Sequence, residues 1–129
     1  MHAPTILLVE DNQLLRWWLA SSLKDEGFEV TAPRSIDESV ALADRVPFDL
    51  LITDWRLADG HDGLEMLQRA RKTDSETLAV LISAETTADF SERARQDGFD
   101  IVIEKPFPVA QIVDAVHSLE ERFPARVAS

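Results

Sequence analysis

Short apolar runs alternate with helical stretches along the whole chain. Ile6-Leu7-Leu8-Val9 forms the centre of a first predicted strand, Thr5 to Val9. Leu15, Leu19 and Leu23 then recur every four residues with Leu14 and Trp18 beside them, which predicts a helix with one apolar face. Gly27 ends that helix, and Phe28 to Ala32 reads as a short second strand. Ser35 is placed to cap a helix running to about Val46, where Pro47 stops it. Asp49 to Thr53 is a third strand whose centre is apolar without a break, as in a strand covered on both faces. A polar loop leads to a helix over roughly Gly63 to Lys72, then a strand from Leu78 to Ile82. A fourth helix is expected from about Ala88 to Gln96 with Gly98 beyond its end, then a fifth strand from Ile101 to Ile103. Pro108 suits an early helical position. Val109, Ile112, Val113 and Val116 carry a helical stripe from there to the end.

Five strand–helix units of these lengths imply an α/β fold: one parallel sheet with helices on both faces. No repeat and no linker rich in Pro, Gly or Ser divides the 129 residues, so a single domain is expected, with its core within residues 5–123. In such sheets the chemistry gathers beyond the carboxyl ends of the strands. Those ends carry Glu10-Asp11, Asp54, Ser83 and Glu104-Lys105-Pro106.

Composition narrows what these residues do. No apolar run approaches the ~20 residues of a membrane span, and the first residues lack the basic start and cleavage site of a signal peptide. The chain has no cysteine, which removes disulfides and thiolate metal sites and suits a cytoplasmic protein. Its formal net charge of −11 opposes contact with phosphate backbones or anionic lipid, so direct DNA or membrane binding is not expected.

Three carboxylates crowded at one rim repel unless a cation sits among them. Oxygen ligands favour Mg²⁺, commonly held by one or two carboxylates plus a phosphate. His61 is the only nearby histidine, too little for zinc. Lys105 offers a point charge to a phosphoryl oxygen, and Ser83 a hydroxyl to another. An aspartate can act as nucleophile and form an acyl phosphate. Each residue also has an ordinary reading. Glu10-Asp11 could cap the first helix, Asp54 could begin a turn, and Ser83 and Lys105 could be surface residues. Their joint placement at strand ends favours phosphoryl transfer.

At these residues the chain resembles the receiver domain of bacterial response regulators, from Thr5 to about Leu119. The segments ILLVEDNQLLR, DLLITDWRLADGHDGLE, VLISA and VIEKPF carry the likeness through their order and spacing. The resemblance implies a flavodoxin-like sheet of order 2-1-3-4-5. It implies Asp54 as phosphoacceptor, Asp11 as main Mg²⁺ carboxylate, Glu10 as its outer-shell companion and the Arg56 backbone carbonyl as a further ligand. It makes Ser83 the switch hydroxyl and Lys105 the phosphoryl-binding lysine. The donor would be a histidine kinase or a histidine phosphotransfer protein, met by the first helix and the loop after the fifth strand. Slow autodephosphorylation would follow, and a homodimer is compatible with the family.

The acidic pair is Glu-Asp rather than Asp-Asp, Ala58 stands where a proline is usual, and the loop Leu57 to Gly63 is one residue longer than usual. Val102 replaces an aromatic residue whose ring turns inward on phosphorylation elsewhere in the family. Fewer than ten residues follow the fifth helix, too few for an output domain. That leaves a stand-alone receiver, a relay intermediate, or a receiver excised from a hybrid kinase or larger regulator. A non-phosphorylated, receiver-like binding module is the main rival. Flavin binding would need a Ser/Thr/Gly loop where Glu10-Asp11-Asn12 stands, and no nucleotide P-loop motif is present.

Overall fold

A computed structural model describes residues 3–85 and 87–123. Five strands form one parallel sheet: β1 (Thr5–Val9), β2 (Glu29–Thr31), β3 (Leu50–Asp54), β4 (Leu78–Ser83) and β5 (Ile101–Glu104). Their order is β2-β1-β3-β4-β5, the flavodoxin-like arrangement. The helices between and after them are α1 (Gln13–Asp25), α2 (Ile36–Arg45), α3 (Gly63–Thr73), α4 (Ala88–Asp97) and α5 (Val109–Ser118). A 3-10 turn, Glu120–Arg122, follows α5 where the stripe had predicted continuing helix.

The two faces of the sheet are separated by the alternation of side chains along each strand. Ile6, Leu8, Leu50, Ile52, Val80 and Ile82 face α1 and α5, against Leu19, Leu23, Ile112 and Val116. Leu7, Val9, Leu51, Ala79 and Leu81 face α2, α3 and α4, against Ile36, Met66, Leu67 and Ala94. β1, β3 and β4 are therefore apolar at nearly every position, as their sequences required.

The caps are local. Ser35 caps α2 as predicted, accepting from the Glu38 N–H at 3.2 Å. Asn12, not the acidic pair before it, caps α1, accepting from the Leu15 N–H at 2.9 Å. Asp62 caps α3 through the Glu65 N–H at 2.9 Å, and Thr87 caps α4 through the Phe90 N–H at 3.1 Å. Pro108 is the residue before α5 rather than inside it. At the far end of α1, Glu26 accepts from His117 Nε2 of α5 at 2.6 Å, tying the two helices that cover one face.

The inner face of α1 departs from the expected one. Leu15, Leu19 and Leu23 do pack on the sheet, but Leu14 and Trp18 stand 70% and 55% exposed. At about 100° per residue the buried arc is centred near Leu19, Leu23 and residue 16. Arg16 occupies the arc because its guanidinium donates to the Glu10 carbonyl at 2.9 Å. Leu14 and Trp18 fall on the opposite flank, where they join the exposed Trp17.

Candidate functional site at the strand ends

The rim is assembled by the register of the sheet. Asp54 pairs with Ile82, and Ser83 with Glu104, so the ends of β3, β4 and β5 lie side by side. The Lys105 N–H donates to the Ser83 carbonyl at 2.8 Å, which fixes the lysine one residue beyond its strand. The Lys105–Pro106 peptide bond is cis. The Trp55 N–H donates to the Ile82 carbonyl at 2.9 Å, and the Trp55 carbonyl accepts from the Gly63 N–H at 2.8 Å. That second bond seats the start of α3 directly on the end of β3. A Cβ on Gly63 would lie 2.7 Å from the Asp54 carbonyl oxygen, so the close approach requires glycine.

Lys105 Nζ donates to Asp54 Oδ2 at 2.8 Å. It also lies 3.1 Å from Glu10 Oε1. That geometry is not a hydrogen bond, and this buried carboxylate oxygen has no hydrogen-bond partner. The other oxygen, Oε2, accepts from the Asn12 N–H at 3.0 Å. Burial pushes the Asp54 carboxyl up to about 7; the hydrogen bond from Lys105 opposes the rise, and neighbouring Glu10 adds to it. Burial works against the Lys105 charge, but its pairing with Asp54 and Glu10 outweighs this and raises its pKa.

Asp54, Trp55, Arg56, Ser83, Ala84, Glu85 and Lys105 line a pocket of about 180 Å³. Ser83 is buried, and its hydroxyl accepts from the Glu85 N–H at 3.0 Å. Arg56 and Glu85 face each other across the mouth, 3.5 Å apart and both exposed. The backbone of Arg56 forms an isolated antiparallel bridge with that of Asp62 across the β3–α3 loop. Asp11 is exposed beyond β1 and is not the cap of α1.

Glu10, Asp54, Ser83 and Lys105 thus stand in one neighbourhood, while Asp11 and Arg56 border it from exposed turns. Among the described residues, no three His, Asp or Glu side chains converge to hold a metal ion by themselves. The donor set nevertheless fits Mg²⁺. It is all oxygen, it holds a buried carboxylate oxygen without a hydrogen bond, and Mg²⁺ characteristically completes its shell with water and phosphate.

Sequence reasoning did not find Arg16, Trp55 or Gly63 as parts of the rim. Arg16 left a trace, a lone cation among apolar neighbours on one helix, but Trp55 left none. Its ring meets Phe90 of α4 edge-on, with centroids 5.4 Å apart, a contact between distant segments.

This fold, with an acidic residue, an aspartate, a hydroxyl and a lysine at its strand ends, is that of a signalling receiver. The model of the response regulator receiver domain matches residues 6–117, and the chain belongs to that family. Among its relatives, a response regulator receiver protein of Anaeromyxobacter sp. is 36% identical over 84% of this chain and 45% of its own length. The phosphate regulon transcriptional regulatory protein PhoB of Rhizobium meliloti is 34% identical over 98% of this chain and 56% of its own. The chain therefore spans about half the length of these curated relatives. A solved response regulator receiver protein from Sinorhizobium medicae superimposes with a TM-score of 0.77 at 32% identity, covering 93% of this chain and 97% of that one. The non-phosphorylated HemR receiver domain from Leptospira biflexa gives 0.81 at 26%, over 98% and 99%. Among the described residues no helix is long and apolar enough to cross a membrane.

Proposed function

We propose that this receiver takes a phosphoryl group onto Asp54 from a phosphohistidine of a histidine kinase or histidine phosphotransfer protein. It would then pass the signal on through protein contacts. The observation that carries this reading is the Lys105 ammonium 2.8 Å from Asp54 Oδ2, at the wall of a pocket wide enough for a phosphoryl group.

In the proposed step an Asp54 carboxylate oxygen attacks phosphorus, the P–N bond to the donor imidazole breaks, and an O–P bond forms. Lys105 leaves its carboxylate contact to take a phosphoryl oxygen, and the Ser83 hydroxyl turns from its own loop to donate to another. Asp11, Asp54 and the Arg56 carbonyl would hold Mg²⁺, with Glu10 behind them. When bound, the ion supplies charge neutralisation for the carboxylates and the incoming anion. Glu10 keeps Lys105 at the rim through their ion pair, so the lysine stays poised when Asp54 is phosphorylated. Water attack on the acyl phosphate returns Asp54 slowly to its free state, or a second histidine removes the group.

The longer relatives include a transcriptional regulator, and an output of that kind is not assigned to this chain. Its charge of −11 argues against the receiver itself touching DNA. The test is direct. Incubation with acetyl phosphate and Mg²⁺ should add one phosphoryl mass to the wild type and none to Asp54→Asn. Labelling of that variant to the wild-type extent would remove Asp54 from its role. An unlabelled wild type would favour a non-phosphorylated binding module.

A further inference from the structure

Trp55 lines the proposed phosphorylation pocket and also touches α4. Its backbone is pinned at both ends, the N–H to β4 and the carbonyl to the start of α3. Trp55 is among the residues lining the pocket beside Asp54, and its ring meets the Phe90 ring edge-on, at 5.4 Å and 82°. Phe90 is the third residue of α4, and its N–H is the one capped by Thr87.

α4 has little else to hold it. Ala94 is its only fully buried residue, and Phe90 and Trp55 are partly buried at the edge of the same apolar cluster. Val102 of β5 sits at that edge too. It is β-branched, with a restricted χ1 and little reach, so it cannot swing between a pocket and the surface. A phosphoryl group adds close to two negative charges within one residue of Trp55. Drawing Ser83 toward that group pulls on Ala84 and Glu85, which lead toward α4, and among the described residues the one aromatic contact of α4 is with Trp55.

We propose that the Trp55–Phe90 pair is the coupling element of this receiver. It reads the state of Asp54 and sets the position of the first turn of α4, in place of an aromatic residue on β5. The proposal rests on Asp54 being the phosphoacceptor, and its test separates the two claims. Trp55 acts here as a positioning residue, not a catalytic one. Edge-on aromatic pairs contribute beyond area burial, enough to bias two arrangements of a weakly held helix several-fold.

The experiment uses the full chain with Mg²⁺ and beryllofluoride, and reads amide exchange by mass spectrometry over residues 88–97. Wild-type protein should show a several-fold change in exchange there, larger than any at Ile101 to Glu104. Phe90→Leu stays apolar but removes the ring that meets Trp55. It should lose most of that change while acetyl phosphate still labels Asp54 to the wild-type extent. A full-sized change in Phe90→Leu, or a wild-type response confined to β5, would overturn the proposal and leave the phosphoacceptor reading standing. Absence of labelling in the wild type would instead remove the reading on which it rests.

Discussion

At the scale of single residues, Asp54 is governed by a contest between burial and one ammonium. Burial dominates and pushes the carboxyl up from the ordinary carboxylate range to about 7. A group whose folded pKa lies above its unfolded one binds more protons in the folded state. Stability then falls as pH rises from about 4 to about 7 and levels off above that. The shift corresponds to a few kcal/mol at most, on the order of 1.4 kcal/mol per unit. In excess chelator, chemical denaturation at a series of pH values should show Asp54→Asn gaining on the wild type across that window. A difference between the two that stays flat with pH would mean that Lys105 holds the carboxylate ionised throughout. The same burial explains why a cation is needed for the proposed chemistry near neutral pH: it favours the ionised, nucleophilic form over the protonated one.

At the scale of elements, α1 exposes an apolar flank that the fold does not use. Leu14, Trp17 and Trp18 are 70%, 65% and 55% exposed and fall within roughly 100° of arc. Exposed tryptophans are frequent interface anchors, and α1 begins beside the acidic rim. Trp17→Ala is therefore expected to slow phosphoryl transfer from the cognate phosphohistidine protein about tenfold or more. Labelling by acetyl phosphate should be unchanged. Equal loss with both donors would place Trp17 in the support of the fold. The strands were readable because continuous apolar runs and turn residues are local signals, while their order came only from the resemblance to receiver domains. The rim followed, since strand ends converge once a parallel sheet is accepted. The seating of α1 was less readable because a polar contact overrode hydrophobicity: the bond from Arg16 to the Glu10 carbonyl turned Leu14 and Trp18 outward. The Trp55–Phe90 contact was not readable at all, because no periodicity relates residues on different elements.

At the scale of the whole molecule, a net charge of −11 makes the folded state repel itself, and the carboxylates at the rim are one concentrated part of that repulsion. Any cation relieves it by screening, so stabilisation by magnesium salt alone says nothing about a site. The informative quantity is the excess over a monovalent salt of equal ionic strength. An ion bound only to the folded state adds about 2.7 kcal/mol when present at a hundred times its dissociation constant. For a domain of this size that is a rise in Tm on the order of 5–15 °C. Asp11 is the residue with which to divide the two contributions. It is exposed, and Asn12 rather than Asp11 caps α1, so Asp11→Asn costs the fold little. Wild-type protein should melt several degrees higher in MgCl₂ than in matched KCl, and Asp11→Asn should lose most of that difference while keeping its response to KCl. Equal shifts in the two salts for the wild type would show that the rim holds no specific ion. A magnesium excess that survives in Asp11→Asn would move the metal carboxylate elsewhere, with buried Glu10 the first residue to replace.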